Sequence, residues 1–245
     1  MRISLGQPVC LIPARGHSKR IPRKNLSLLN GKPMLAYAIE DARQSGIFRR
    51  VVVSTEDPTI AAVAEQYGAE VPYLRPAQLA EDQVGIAEVA VEFVQRLRES
   101  GERVEVLGIL LPSAPLRTAQ DIRAAWELFC ATDAPVLHSV TDFEHPPQRA
   151  VLLVNDGVLR PMLGLSELCK QSQEFPRSVQ MTGAVIFVRT DYLLRTHQCV
   201  ADRMLGYVMP RERSVDVDEP YDLVAAQLWL ANRESAAAHA DPHPA

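Results

Sequence analysis

Between Val9 and Leu26 the chain reads VCLIPARGHSKRIPRKNL. The apolar run Val9–Ile12 stops at Pro13, and five cations follow at once: Arg15, Lys19, Arg20, Arg23 and Lys24, with Gly16, Ser18 and Asn25 among them. The whole chain has a formal net charge of −4. It therefore has no general attraction for nucleic acid or anionic membrane, and these cations must act locally. Arginine offers forked hydrogen bonds and lysine a point charge, the pair of donors that suits a polyphosphate. Backbone N–H groups near Gly16 add a concave anion surface. The competing reading is a solvated basic turn, and Arg20 reads as a surface residue. The loop is neither a Walker pattern nor a dinucleotide fingerprint, because it has one glycine and no Gly-Lys-Ser/Thr.

A second stretch, SVDVDEP from Ser214 to Pro220, carries two carboxylates. In a strand, Asp216 and Asp218 leave on one face while Val217 points to the core. Adjacent carboxylates repel unless a cation lies between them, and hard oxygen ligands suit Mg²⁺, which completes its shell with water and substrate phosphate. The alternative is a strand end with Asp218 capping the next helix and Pro220 in its first turn. LLPSAPLR, Leu110 to Arg117, follows a strongly apolar run; Ser113 and the backbone there can read a base edge, or form an ordinary turn. HPPQRA, His145 to Ala150, holds Gln148 and Arg149, suited to a substrate carboxylate, with His145 a loop residue. No Ser-His-Asp or Cys-His arrangement has supporting context.

Parallel β-α-β units must position these residues. Val9–Ile12 and Val51–Ser54 read as strands. Lys32–Ser45 reads as an amphipathic helix, with Pro33 near its start and Gly46 after its end. Asp57-Pro58 caps a helix ending at Gly68. Glu70–Leu74 reads as a strand, Gly85–Glu99 as a helix and Val104–Leu111 as a strand. Thr118 with Asp121 forms a capping box that opens a helix to Cys130, and Pro135–Val140 is the next strand. This alternation predicts an α/β fold, a doubly wound, mostly parallel sheet with ligands outside the carboxyl ends of its strands. After Thr141 the pattern changes. Ala150–Val154 and Val158–Arg160 flank the turn Asn155-Asp156-Gly157, and Pro161–Gln180 is irregular. Gly183–Val188 and Ser214–Val217 read as strands, Glu219–Arg233 as a final helix, and Ala236–Ala245 as a frayed tail. The expectation is one domain over residues 1–235 with an excursion at about 142–182. Hydrophobic residues at 47% supply its core. No apolar run is long enough to span a bilayer, no secretion signal is evident, and the four cysteines lack metal or redox spacing. Cys10 and Cys130 read as buried thiols and the chain as cytoplasmic.

These stretches, in this order, resemble the acylneuraminate cytidylyltransferase family. IPARGHSKRIPRKN is similar to its nucleotide loop, VVVSTEDPTIAAVAEQYGAEVPYLRPAQLAED to its next segment, LLPSAPLR to its Pro-Thr-Ser-Pro-Leu-Arg loop, and ERSVDVDEPYDL to its Asp-x-Asp region. The resemblance spans most of Val9–Leu230 and implies a Rossmann-like nucleotidyltransferase with a small dimerisation excursion, hence a homodimer. It implies that Arg15 and Lys24 contact the CTP phosphates, that Asn25 and Arg75 lie against the nucleotide, and that Asp216 and Asp218 hold Mg²⁺. The partners implied are CTP and a nine-carbon acidic sugar. Ser113-Ala114 stands in place of Thr-Ser, Leu111 in place of a sugar-contacting Gln, Met181-Thr182-Gly183-Ala184 in place of Pro-Asn-Gly-Ala, and Ile86 in place of a cytosine-contacting Ser. These departures point away from N-acetylneuraminate itself. PPQRAV resembles the pseudaminic-acid branch. A transferase for Kdo and a regulatory module that only binds nucleotide are the rival readings.

Overall fold

The computed structural model describes residues 5–239, with side chains as far as Arg233. The chain opens with β1 (Val9–Pro13), the short hairpin β2 (Leu28–Leu29) and β3 (Lys32–Pro33), helix α1 (Met34–Ser45), β4 (Arg50–Ser54) and α2 (Pro58–Gln66). It continues through α3 (Ile86–Glu99), β5 (Val106–Ile109), α4 (Ala119–Cys130) and β6 (Val136–Asp142). Beyond β6 come β7 (Val151–Leu153), β8 (Leu159–Pro161), α5 (Leu165–Leu168), β9 (Val179–Arg189), α6 (Thr190–Thr196), β10 (Leu205–Val208) and α7 (Pro220–His239).

Six strands form the central sheet in the order β10-β6-β9-β5-β1-β4. All pairings are parallel except those of β9, which runs antiparallel to both β5 and β6. Strand β1 shows why the sheet is doubly wound. Its Cys10 and Ile12 enter a core with Leu35 and Ile39 of α1, Ile60 of α2 and Ile122 and Phe129 of α4. Its Val9 and Leu11 enter a second core with Val91, Phe93 and Leu97 of α3 and Leu193 of α6. Burial on both faces is what a continuous apolar strand demands, and it requires a helical layer on each side. The start of α2 is fixed by Asp57, whose side chain accepts from the amides of Thr59 and Ile60. The capping box of Thr118 and Asp121 starts α4.

Several expectations change. The Glu70–Leu74 strand reduces to one bridge, Glu70 beside Val52. Ser214–Val217 is not a strand: it follows a single 3-10 turn, Arg211–Arg213, and pairs with no ladder. Its alternation has a different cause. Val217 is fully buried against Ile21, Leu29 and Met34, and its amide donates to Ser113 O at 2.7 Å. Cys130 is only half-buried, while Cys10 is fully enclosed and burial pushes its thiol far up. The final helix continues to His239, so the expected tail is helical from Ala236 to His239, and its last part, 240–245, lies outside the described residues. Between β6 and β9 the chain leaves the sheet, forms the β7–β8 hairpin, and returns.

Candidate active site

The basic loop leaves β1 at its carboxyl end, beside the ends of β4 and β5. Ala14 continues the β4 pairing through its amide to Ser54 O at 2.9 Å. Asn25 is buried and donates its Nδ2 to Arg15 O at 2.8 Å, which folds the loop back on itself. Arg23 takes a left-handed φ of 54° at the turn. Two adjoining cavities open here, of about 220 and 440 Å³. Arg15, Lys24, Asn25 and Asp82 line both. Arg75, Ile86, Pro112 and Ser113 complete the smaller, and Lys19, Arg20 and Asp218 the larger.

The early cations and the late acids meet. Lys24 Nζ lies 2.8 Å from Asp218 Oδ1 and 2.9 Å from Val217 O. Arg20 Nη2 lies 2.5 Å from Asp218 Oδ2 and its Nη1 3.2 Å from Glu219. Arg20 is exposed, as a surface residue is, and also reaches the site through its pair with Asp218. Lys24 and Arg20 hold the Asp218 carboxyl below its ordinary range, outweighing desolvation, which acts the other way. Asp216 is raised: desolvation pushes it up first and the Asp218 charge adds to that, against a hydrogen bond from Ser113 and the field of Lys24. Asp222, rather than Asp218, supplies the acceptor at the start of α7, taking the amides of Asp218 at 2.9 Å and Glu219 at 2.7 Å.

Three acids complete the loop: Asp82 and Glu56, which the residue patterns did not single out, and Asp57, read there only as a helix cap. Asp82 bridges Arg15 at 2.8 Å and Lys19 at 2.6 Å. Glu56 accepts from the Gly16 amide at 2.6 Å and from the buried Arg75 at 3.0 Å. Asp57 takes Arg23 at 3.5 Å. A Cβ at Gly16 would stand 2.8 Å from Asp57 Oδ2, so a side chain there would push the Asp57 carboxylate aside. Glu56 and Asp57 follow β4, whose carboxyl end neighbours that of β1; the doubly wound pattern alone places them beside the basic loop.

Arg117 anchors the loop after β5. Its fully buried Nη1 donates to Leu111 O, Ala114 O and Ala184 O at 2.8, 2.9 and 3.1 Å. Gly183, with φ of +67°, faces Leu111 so closely that a Cβ would meet Leu111 Cδ1 at 2.6 Å. Asp121, almost fully buried, accepts from Arg213 Nη2 at 2.8 Å and Nε at 3.1 Å and from Tyr207 Oη at 3.1 Å. It thereby fixes the turn that leads into Asp216. Gln148 and Arg149 line neither cavity. Gln148 donates to Ser178 at 2.8 Å within the excursion, and Arg149 is exposed. Among the described residues no group of three or more His, Cys, Asp or Glu is arranged for a metal ion; Asp218 lines the larger cavity, whereas Asp216 lines neither and is tied to the site through its hydrogen bond with Ser113.

Residues 9–176 match a family model described as cytidylyltransferase. The chain belongs to the cytidylyltransferase family. This nucleotidyltransferase is 34% identical over 235 residues to a pseudaminic acid cytidylyltransferase of Campylobacter jejuni, covering 93% of this chain and 98% of that one. It is 29% identical to a CMP-N,N'-diacetyllegionaminic acid synthase of Legionella pneumophila, over 93% and 98% of the two chains. It is 30% identical to an N-acylneuraminate cytidylyltransferase of Escherichia coli, over 89% of this chain and 51% of that one. In fold the cytidylyltransferase is similar to a CMP:2-keto-3-deoxy-manno-octonic acid synthetase solved with CTP, with a TM-score of 0.70 at 17% identity, covering 93% of this chain and all of that one. Among the described residues no helix is long and apolar enough to cross a membrane.

Proposed function

We propose that this enzyme transfers CMP from CTP to the anomeric hydroxyl of a nine-carbon nonulosonic acid, of the pseudaminic type. The carrying observation is the direct contact of Lys24 with Asp218, which joins the phosphate-type loop to the acidic segment in one cleft. The likeness over nearly the full length of the Campylobacter jejuni enzyme supports the sugar class.

The anomeric oxygen attacks the α-phosphorus, the bond from that phosphorus to the oxygen bridging to the β-phosphorus breaks, pyrophosphate leaves with that oxygen, and the hydroxyl proton passes to solvent water. Phosphoryl-type transfer asks the protein for alignment and charge neutralisation. Arg15 and Lys24 hold the phosphates and offset charge on the leaving pyrophosphate. Asn25, Arg75 and Ser113 face the nucleoside. Pairing with Asp82 and Asp218 keeps the cations in place before CTP arrives, and the triphosphate replaces those carboxylates. The acidic pair fits a hard divalent cation such as Mg²⁺: Asp216 is raised partly by the Asp218 charge, a repulsion that a cation between them removes. Asp216 and Asp218 would hold the ion, which would supply Lewis acidity to the transfer.

Gln148 and Arg149 belong to the excursion, so their proposed contact with the sugar calls for a second copy to bring them to the cleft. The excursion supports a homodimer because its Leu153, Leu159, Leu163 and Leu165 are all more than half exposed. A reaction that consumes CTP supports a cytoplasmic location. Pyrophosphate release, measured with CTP, Mg²⁺ and a panel of nonulosonic acids and Kdo, tests the assignment. We expect turnover with the pseudaminic type; turnover with Kdo alone, or none, overturns it.

A further inference from the structure

A cavity of about 860 Å³ opens at the other end of the sheet from the nucleotide cleft. It lies where β5 begins and the antiparallel β9 ends, beside the pairing of Val106 with Arg189. Arg98 from the last turn of α3, Arg103 from the loop before β5 and Arg189 from the end of β9 contribute to its lining, together with Glu105 and Asp191. We propose that this cavity is a second ligand site, separate from the nucleotide cleft, for a phosphorylated and hydroxylated small molecule, a nucleotide or a sugar phosphate, with Arg98 and Arg103 holding the phosphate. This site is independent of which sugar the enzyme activates.

The two sites share no lining residue. Val104 lines this cavity and Pro112 the nucleotide cleft, and β5, about 13 Å long, runs between them. Their charges are also arranged differently. Each cation lining the nucleotide cleft has a carboxylate partner: Arg15 and Lys19 have Asp82, Arg20 and Lys24 have Asp218, and Arg75 has Glu56. In the second cavity the guanidiniums of Arg98 and Arg103 make no hydrogen bond or ion pair among the described residues. The acids beside them face backbone amides instead. Glu105 accepts from Gly6 at 3.4 Å, and Asp191 Oδ1 from Tyr192 at 2.7 Å. Three arginines against two carboxylates leave the lining with a positive excess, which an anion neutralises.

The frame around these arginines is fixed although two of the guanidiniums are free. Arg49 Nη2 donates to Arg103 O at 3.1 Å, and the neighbouring Glu102 carboxylate is held by Arg49 and Arg50. The Thr190 amide donates to Glu105 O at 3.0 Å and its hydroxyl to Val104 O, which ties the start of α6 to the start of β5. Arg189 is set by Nε to Ala134 O at 3.2 Å, by Nη2 to Thr132 O at 3.1 Å and by the Phe129 ring; its Nη1 makes no such bond among the described residues. A frame ordered in advance lowers the cost of binding. Guanidinium forks match phosphate oxygens. Glu105 and Asp191 repel a ligand that is anionic throughout, but their remaining oxygens accept from hydroxyls. The lining thus selects a molecule with a phosphate at one end and hydroxyls at the other, and the volume is that of a small-molecule site.

Equilibrium dialysis at about 0.15 M salt, with labelled CMP and labelled ribose 5-phosphate as separate probes, tests the site. Arg15→Ala combined with Lys24→Ala weakens the nucleotide cleft, and at least one probe is expected to remain bound to that chain. Retention of CMP alone assigns the site to nucleotides; retention of ribose 5-phosphate assigns it to sugar phosphates. Adding Arg98→Ala and Arg103→Ala is expected to raise the Kd of the retained probe about tenfold to hundredfold, the range for losing charged hydrogen bonds. Arg98→Lys with Arg103→Lys keeps the charge without the forks and is expected to fall between. Because neither arginine has a partner to lose, the urea midpoint of the alanine pair is expected to match that of the parent. Loss of both probes in the Arg15→Ala, Lys24→Ala chain overturns the site, as does a Kd that Arg98→Ala and Arg103→Ala leave unchanged. Inorganic phosphate binding as tightly as either probe overturns the ligand class.

Discussion

The carboxyl end of the sheet and the excursion are built by opposite rules. At the sheet end nearly every charge already has a partner: Arg15 and Lys19 with Asp82, Arg20 and Lys24 with Asp218, Arg23 with Asp57, Arg75 with Glu56. In the excursion, hairpin β7–β8 turns Leu152, Leu153, Val158 and Leu159 outward, with Leu153 at 75% and Leu159 at 60% exposure. On the proposed function, a polyanion would replace the carboxylates of the first region, and a second copy would cover the apolar hairpin that the second leaves exposed. Changes in the first should alter chemistry or monomer stability, and changes in the second should alter assembly.

The largest expected effect is catalytic. Asp218→Asn keeps the shape of the cleft but removes a charge, and is expected to lower kcat about a hundredfold to thousandfold while CTP affinity moves only a few-fold. Rapid-quench turnover beside equilibrium CTP binding checks this, and equal turnover would refute the role. Next comes Arg117→Met, which removes a shared donor from the Leu111, Ala114 and Ala184 carbonyls, leaving Leu111 O its bond from the Ala114 amide, and should cost about 2–4 kcal/mol in urea unfolding. A loss below about 0.5 kcal/mol would show that the β5 loop holds itself. Leu153→Asp combined with Leu159→Asp should turn a dimer into a monomer in light scattering, with unfolding of the remaining domain within about 0.5 kcal/mol. Persistence of the dimer would place the interface elsewhere.

Asp41 gives a pH test of the sheet half. Burial pushes its carboxyl up to about 7, against the fields of Arg117 and Arg233. Between its ordinary value near 3.8 and about 7, the folded chain keeps a proton that the unfolded chain has lost. This group's contribution to stability therefore declines as pH rises through that window. Asp41→Asn should flatten the decline, read as urea midpoints at pH 5 and pH 8. The smallest effect is expected for Asp82→Asn. Freeing Arg15 and Lys19 should tighten CTP binding about twofold to threefold at low salt, an advantage that 0.5 M salt removes.

The sequence displayed the sheet half far better than the return path. Continuous apolar strands such as Val9–Ile12 can only lie between two helical layers, and the capping residues Asp57 and Thr118 mark helix starts by type alone. Strand direction carries no such mark, so Gly183–Val188 is recognisable as a strand but not as the antiparallel one, nor as reaching back to Val179. The alternation of Ser214–Val217 imitates a strand because Val217, fully buried, and Val215, partly buried, pack on one core with Asp216 exposed between them, which produces the same pattern without a ladder. For the site, the cations were visible as a cluster. Their counter-ions Glu56 and Asp82 were not, because single acids near helix starts look like ordinary caps until the loops are brought together.

Asp121 closes a circuit between distant parts of the chain: it begins α4, and its carboxylate grips Arg213, three residues ahead of Asp216. The spacing from that grip to the acidic pair is therefore a fixed ruler. Inserting or deleting a single residue between Arg213 and Asp216 should abolish turnover by displacing the carboxylates. Exchanges of side chain at Ser214 or Val215, which keep the count, should disturb far less.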